Sequence, residues 1–412
     1  MTAARVVITG KGVITGMGCG MDALISGIEK GKCATRRMPG WERYKGLRSL
    51  IGVPVDMPDY RHIPRKIRRS MGRLSLLTLF AADEALSSAG IKSLDFLEGK
   101  CGCVVGSTMG GAEALNDTFE TMLPDHDLSK LSAMKFFHTV SHTAAMNLAQ
   151  YLGLRGIVMA TSAACASSLQ AVGTGFDLIR NRRQSMVLCG GAEELHPTVT
   201  GSFDILFASS TNYNDIPEKS PRPFDKDRDG IVCGEGAGIL VLEDYEHAVE
   251  RGANILAEIR GYHTCSSGSH VSQAHRESMI HCMNMALSEA DILPSKVDLV
   301  SAHATATRHG DEEEAQAIAT VFGANTPVQS LKGYIGHTLG ASGSIELAVV
   351  MDMMKQNMIY PTCNLEVVDN GCDVVFHVRE TLHRSVDVVL KNCFAFGGIN
   401  ASLVCTKFKP EI

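Results

Sequence analysis

The stretch Gly156-Ile157-Val158-Met159-Ala160-Thr161-Ser162-Ala163-Ala164-Cys165-Ala166-Ser167-Ser168 ties a strand to a helix through a turn of small residues. Residues 156–160 read as a short buried strand and 161–164 as the turn. Cys165-Ala166-Ser167-Ser168 opens a helix whose apolar face repeats at Leu169, Val172, Phe176 and Ile179. A thiol at a helix N-terminus meets free backbone N–H groups and the positive end of the macrodipole, both of which favour the thiolate. Strand–turn–helix is also how a chain presents an exposed nucleophile. Most cysteines in a chain of this kind are small core residues, so the segment fixes an α/β unit before it fixes any chemistry.

The same alternation runs outward in both directions. Strand-like runs fall at 6–9, 101–106, 157–160, 186–189, 238–242, 255–260, 297–302, 328–331, 388–392 and 402–406. Helical periodicity is clear at 73–89, 166–181, 273–290, 311–322 and 341–356. This is an α/β pattern without a low-complexity linker or a long charge run. A faint duplication is visible. The strand at 157–160, a small-residue turn and the helix at 166–181 resemble the strand at 328–331, a Gly-rich turn and the helix at 341–356. Both helices open on small residues, Ala166-Ser167-Ser168 and Ala341-Ser342-Gly343, which let a helix pack close to its neighbours. The expected organisation is two similar halves, 1–250 carrying Cys165 and 251–412 carrying the histidines described below, around a central site.

With 412 residues and 45% hydrophobic content the chain can bury a large core. Its net charge of −6 comes from mixed signs, which speaks against nucleic acid and an anionic membrane as partners. No apolar run reaches the ~18 residues that span a bilayer. The N-terminal residues read as a first strand rather than a signal peptide. The 13 cysteines are scattered, with no C-x-x-C pair, so structural zinc and disulfide staples are not expected and a reducing cytoplasm is.

Three local motifs are set aside. Gly10-Lys11-Gly12 runs on to Gly16, one residue too long for a dinucleotide fingerprint. Gly31-Lys32-Cys33 lacks the hydroxyl of a phosphate loop. Asp225-Lys226-Asp227-Arg228-Asp229-Gly230 begins like a calcium loop, but the twelfth position is Gly236 rather than a bidentate glutamate. A polar loop with local turn hydrogen bonds is expected there.

Two further segments end strands with a histidine: 298–307, containing His303, and 332–340, containing His337. Each stands among small residues, where backbone can approach a ligand. The last segment, Asn392-Cys393-Phe394-Ala395-Phe396-Gly397-Gly398-Ile399-Asn400, is a Gly-rich turn flanked by aromatics.

Taken together these residues resemble the elongating β-ketoacyl-acyl-carrier-protein synthases of the I/II type, in the thiolase superfamily. The likeness covers nearly the whole chain. It rests on the Cys165 segment, on 223–230 with Gly234-Glu235-Gly236-Ala237-Gly238, on both histidine segments and on Phe394-x-Phe396-Gly397-Gly398-x-Asn400. Residues 190–195 and 210–214 lean toward type I. The resemblance implies a thiolase-like fold with a five-layer αβαβα core and a decarboxylative Claisen condensation. Cys165 would carry the acyl group, while His303 and His337 would hold the enolate formed from malonyl thioester. The backbone N–H groups of Cys165 and Phe396 would form the oxyanion hole, with Phe394 and Phe396 at the gate. Lys332 and Glu346 would be a supporting ion pair, with Glu346 orienting the second histidine. Thr305 and Thr307 would hold the pantetheine arm.

No cofactor or metal is implied, because the acyl groups travel on acyl carrier protein. The family is dimeric, so a homodimer or a heterodimer with a chain-length-factor-like subunit is expected. Arg61, Arg65, Lys66, Arg68, Arg69 and Arg73 form a run without acidic side chains. By residues alone this is a solvated helix start. By the resemblance, Arg65, Lys66, Arg68 and Arg69 dock the acidic carrier.

The relatives differ at the same positions. A degradative thiolase would have a second cysteine where Phe396 stands. A type III starter enzyme would pair Cys-His-Asn. A chain-length factor would lack the nucleophile, and a pure binding module would not need all three polar groups. The chain departs from the family pattern at Ala304, Ala306, Arg308 and Ala395. These changes leave the chemistry intact and open a second reading: a specialised ketosynthase of a type II polyketide or aryl-polyene-like pathway.

Overall fold

Two successive runs of five strands share one order and one set of directions. The structure is a computed structural model that describes residues 3–94 and 97–409. In the first run β1 (Val6–Thr15), β2 (Cys101–Gly106), β3 (Val158–Thr161), β4 (Met186–Glu193) and β5 (Gly236–Asp244) lie side by side as β1-β5-β4-β2-β3. In the second, β6 (Ala257–Ser266), β7 (Leu299–Ser301), β8 (Pro327–Gln329), β9 (Val388–Phe394) and β10 (Ile399–Lys407) lie as β6-β10-β9-β7-β8. The first two pairings of each run are antiparallel and the last two parallel. The runs meet at their first strands, where Val6, Val7 and Ile8 pair with Ile259, Glu258 and Ala257.

The helices repeat as well. Helix α1 (Arg73–Ser88) follows β1, α2 (Thr143–Leu152) precedes β3 and α3 (Ser167–Arg180) follows it. In the second half α4 (Arg276–Ala290) follows β6 and α5 (Arg308–Phe322) precedes β8. The short α6 (Lys332–Ile335) and then α7 (Ser342–Gln356) come after β8. Helices α3 and α7 pack on each other and on strands of both runs, while α1 with α2 and α4 with α5 cover the outer faces. The result is five layers, helix–sheet–helix–sheet–helix. A helix in the middle layer has no solvent face, and α7 is buried on nearly every side, from Ser342 through Met354. Small residues make the central contact close: a Cβ on Gly343 would stand 3.0 Å from the Leu169 Cβ.

Two elements differ from the sequence expectation. The strand expected at 6–9 runs on to Thr15, so Gly10 and Gly12 are strand residues rather than a loop. A Cβ on either would lie 2.2 Å from a carbonyl oxygen of α1, at Ala85 and Ala81. Glycine there lets the helix lie on the strand. The strand expected to be buried at 157–160 is instead the edge of the sheet at Val158–Thr161, with Val158 and Met159 both 42% exposed. An apolar run looks the same whether one neighbour or two pair with it.

Candidate active site

Cys165 lies in the turn between β3 and α3, ahead of the helix rather than in its first turn, since α3 begins at Ser167. The turn is tight. Ala164 takes a φ of +47°, a conformation costly for a residue with a Cβ. The Ser167 hydroxyl pins it, donating to the Ala164 carbonyl at 2.7 Å and accepting from the Ala163 N–H at 2.8 Å. Cys165 is 4% exposed. Burial pushes its thiol up to about 12, and the nearby Lys332 charge opposes this only in part. Burial thus works against the thiolate that a helix N-terminus favours.

His337 follows α6, whose cap Gly336 has a φ of +66°. Its own N–H donates to the Val232 carbonyl at 2.8 Å. Its Nδ1 accepts the Leu339 N–H at 3.3 Å, which places the ring proton on Nε2. That nitrogen stands 2.9 Å from the Cys165 sulfur. His303, just past the end of β7, meets the His337 ring edge-on, with centroids 5.2 Å apart at 82°. The Glu314 carboxylate fixes its backbone, accepting the N–H groups of His303 and Ala304 at 2.8 and 2.7 Å. Its Nδ1 has no hydrogen-bond partner among the described residues. Burial first, and then the Lys332 charge, hold both imidazoles well below their ordinary range, so both are neutral at physiological pH. One ligand-type atom from each of Cys165, His303 and His337 lies within 4.8 Å of the others. Tetrahedral zinc at ~2.0–2.3 Å from each ligand would separate ligand atoms by roughly 3.5 Å. The 2.9 Å contact is spaced as a hydrogen bond instead.

Behind the histidines Lys332 donates to Glu346 Oε1 at 2.8 Å, both groups fully buried. Glu346 does not touch His337; it holds two ammonium groups, because Lys391 of β9 donates to its other oxygen. In front of the histidines is a cavity of about 480 Å³ lined by Cys165, His303, His337, Thr305, Thr307, Phe394 and Phe396. The Thr305 and Thr307 hydroxyls are 3.2 Å apart. Phe396 stacks obliquely on Phe203, at 5.9 Å between ring centres. Its N–H makes no backbone hydrogen bond among the described residues. Lys332 and Glu346 do not line the cavity. Arg308 does, as an exposed side chain. Ala306 and Leu339 have φ of +68° and +46°. A strained residue thus lies within three positions of each of Cys165, His303 and His337.

The basic run is smaller than its sequence suggests. Arg73 turns inward to Glu235 at 2.5 Å and Arg61 is held by Asp59 at 2.9 Å. Arg65, Lys66 and Arg69 remain exposed without an ion pair among the described residues, and Arg68 lies over the Tyr60 ring. In the calcium-like loop, Asp225 is used internally. It accepts from Arg222 and from the N–H groups of Asp227, Glu366 and Val367.

Sequence reading missed three buried charged residues. Glu314 positions His303. Glu193 accepts the N–H groups of Thr108, Met109 and Gly340, tying the β2 end to the His337 loop. Lys391 was hidden in a strand-like run; a lysine alternating inward between Val389 and Cys393 was the available signal.

Comparison with known proteins agrees with this geometry. Residues 3–248 match the β-ketoacyl synthase N-terminal domain, and residues 256–366 match its C-terminal domain. The chain is 32% identical over 408 residues to 3-oxoacyl-[acyl-carrier-protein] synthase 1 of Haemophilus influenzae, covering 98% of this chain and 99% of that one. It is 33% identical over 417 residues to a putative polyketide β-ketoacyl synthase 1 of Streptomyces cyaneus, covering 98% of each. Among solved structures, a β-ketoacyl synthase from Burkholderia phymatum superposes with a TM-score of 0.95 at 40% identity, covering 98% of this chain and all of that one. This chain belongs to the β-ketoacyl synthase family.

Proposed function

We propose that this protein is a β-ketoacyl-acyl-carrier-protein synthase acting through Cys165, His303 and His337. The observation that carries the reading is the convergence of one thiol and two neutral imidazoles at the end of a cavity lined by two threonine hydroxyls. In the first half-reaction Cys165 attacks an acyl thioester. The carrier's sulfur leaves with the bonding pair and takes up the thiol proton, so no outside acid is needed. The Nε2–H of His337 supports the sulfur as charge builds on it. The N–H groups of Cys165 and Phe396 receive the oxyanion. In the second half-reaction a malonyl thioester loses CO₂, and the electrons of the broken C–C bond pass to the enolate. Neutral imidazoles donate to its oxygen without first holding the substrate carboxylate as an ion pair. The enolate carbon then attacks the Cys165 thioester, and the sulfur departs with the C–S bonding pair as a thiolate, which takes one proton from solvent to restore the thiol. No cofactor is needed for either step.

Thr305 and Thr307 would guide the pantetheine arm. Arg65, Lys66, Arg68 and Arg69 would meet the acidic carrier, raising encounter rate and selecting against wrong partners. The exposed β3 edge supports assembly as a homodimer, or with a chain-length-factor-like subunit, through Val158 and Met159. Thirteen free cysteines suit a reducing cytoplasm, and no helix among the described residues is long and apolar enough to cross a membrane. The departures at Ala304, Ala306, Arg308 and Ala395 support a specialised acyl range, in a polyketide or aryl-polyene-like pathway, as the second reading.

The test is intact-mass measurement of the protein with a panel of acyl carriers, together with CO₂ release from malonyl carrier. The expected result is one acyl group per chain on Cys165 and malonyl-dependent CO₂ release. Acylation elsewhere, or none with any carrier, overturns the reading.

A further inference from the structure

Lys391 is completely buried on β9, and the reaction just described does not use it. Its ammonium reaches Glu346, and it also donates to the carbonyls of Ser301 and Ala302 at 3.3 and 3.2 Å. Ala302 is the residue directly before His303. One lysine is thus bonded both to the strand end that carries the first histidine and to the carboxylate that Lys332 already shares. The group of three has two positive charges against one negative, sealed from water. The Glu314 carboxylate lies further off and also favours the Lys391 charge, but burying a second ammonium is still costly, so its presence there needs a reason.

We propose that Lys391 is a positioning residue for the decarboxylation half-reaction, anchoring the β7 end under His303 and supplying a second positive charge behind the two histidines. The inference rests on the ketosynthase reading above. Its charge keeps both rings neutral, as donors, to lower pH, and it lowers the cost of the negative charge that develops on the enolate oxygen. The groups facing this cluster are Lys332 on α6, Glu346 on α7, Glu314 on α5, Cys393 on β9, and His303, His337 and Cys165 at the site. Burial works against the Lys391 charge, but Glu346 first and Glu314 further on outweigh it and keep its pKa above the ordinary lysine value. Both lysines depress His303 and His337. Lys332 is the cation that bears chiefly on the thiol. The two lysines therefore divide the site: Lys332 serves thiol and rings, Lys391 the rings.

The sign follows from this. Removing a cation raises the pKa of a nearby imidazole, so the neutral donor form is lost at a higher pH as the solution is acidified. Lys391→Met removes the charge and the hydrogen bonds. Lys391→Gln removes the charge but keeps an N–H donor, one bond shorter, on the side of the Ser301 and Ala302 carbonyls. Each variant is compared with the full-length wild type for CO₂ release from malonyl carrier across pH 5–9, and for alkylation of Cys165 by iodoacetamide, which reads the thiol alone. Thermal unfolding checks that each has folded. Both variants are expected to move the acid limb of decarboxylation up by about one pH unit and to lower its plateau about tenfold. Cys165 alkylation should change less than about twofold. If either folded variant keeps the wild-type acid limb and plateau, the inference is wrong. If Gln behaves as wild type while Met does not, Lys391 is only a structural tie and the charge role fails. Wild type that neither loads an acyl group nor releases CO₂ removes the ketosynthase reading itself, and this inference with it.

Discussion

The loop after β3 and the loop after β8 occupy the same place in two copies of one topology, and they do opposite work. In the proposed reaction the first presents Cys165, a group that must gain negative charge. The second presents His337, a group that in the same reaction would stay neutral and donate. Both loops open a central helix with small residues, and both contain a non-glycine residue at positive φ, Ala164 and Leu339. The difference lies in what each half adds. The second half inserts α6, which places Lys332 behind the histidines and turns the chain so that the Leu339 N–H fixes the His337 proton. It also carries His303 two residues past the end of β7, where β2, the corresponding strand of the first half, ends in Gly106 and passes on to Ser107 and Thr108. At Gly106 a Cβ would lie within 2.6 Å of the Ser167 backbone. The repeated topology sets two loops facing each other, and their side chains differ in the way the proposed nucleophile and donors require.

The comparison breaks first at the nucleophile. Cys165→Ser or Cys165→Ala should abolish acyl loading and condensation, because a hydroxyl or methyl in that buried turn cannot form a thioester. Intact mass and peptide mapping would read this directly, and an acyl group persisting on another cysteine would assign the chemistry to the wrong loop. The resting state sharpens the same point. A thiol pushed up to about 12 by burial becomes thiolate only as pH rises toward that value. Iodoacetamide alkylation of Cys165 should therefore climb about tenfold per pH unit from pH 7 to 10, with no plateau. A plateau near neutral pH would mean that the helix terminus does win over burial.

The donors come next. His303→Ala or His337→Ala should each slow malonyl decarboxylation by ~10²–10³. The structure separates them in the other half-reaction. His337 touches the sulfur and His303 makes no hydrogen bond to it, so His337→Ala should also slow acyl loading while His303→Ala leaves it nearly intact. Stopped assays of loading and of CO₂ release on both variants check this. Equal losses in both half-reactions for both variants would erase the distinction between the two histidines.

How much of this was legible differed between the two loops. The small-residue segment around Cys165, the histidines among small residues and the final Phe-rich turn are local patterns, and they lead to the right fold and to residues that do converge, although His337 follows the short helix α6 and not a strand as the sequence suggested. What escaped depends on contacts between distant strands. Burial of β3 depends on a neighbour that no local pattern announces. The Glu314 carboxylate finds the His303 backbone across 11 residues and Lys391 finds Glu346 across 45, with no periodicity to mark either. Arg73 looked like part of a basic surface because the sequence does not show Glu235, 162 residues away.

A smaller effect is expected at the carrier surface, outside both loops. Reversing Arg65, Arg68 and Arg69 to Glu should raise the KM for acyl carrier protein about tenfold, and wild-type turnover should become weaker with added salt. Turnover of a small thioester mimic without the carrier should stay within about twofold. Equal impairment on the mimic would point to damage at the active site instead of lost docking.

The smallest effect tests whether the gate belongs to the comparison at all. Ala395 directly follows β9 beside Phe396, and its methyl is buried in the core that also holds Cys165. It is not at positive φ; Gly397 and Gly398, at +91° and +74°, take the turn instead. The cost of Ala395 is therefore not strain in the observed conformation but the loss of alternatives, since a Cβ closes the left-handed region through which the turn could swing. The Ala395 N–H is also tied to the Ile399 carbonyl at 2.8 Å, so the hinge is held at both ends of the turn. A stiff turn keeps Phe396 against Phe203 and narrows the acyl lengths that fit. Ala395→Gly should broaden that range severalfold at the disfavoured lengths while leaving CO₂ release from malonyl carrier within about twofold. Loading and elongation rates across saturated and polyunsaturated acyl carriers, for both forms, make the measurement. If the profiles coincide and wild type already accepts the whole saturated range, the gate is not selective, and general fatty-acid elongation is the better account of this chain.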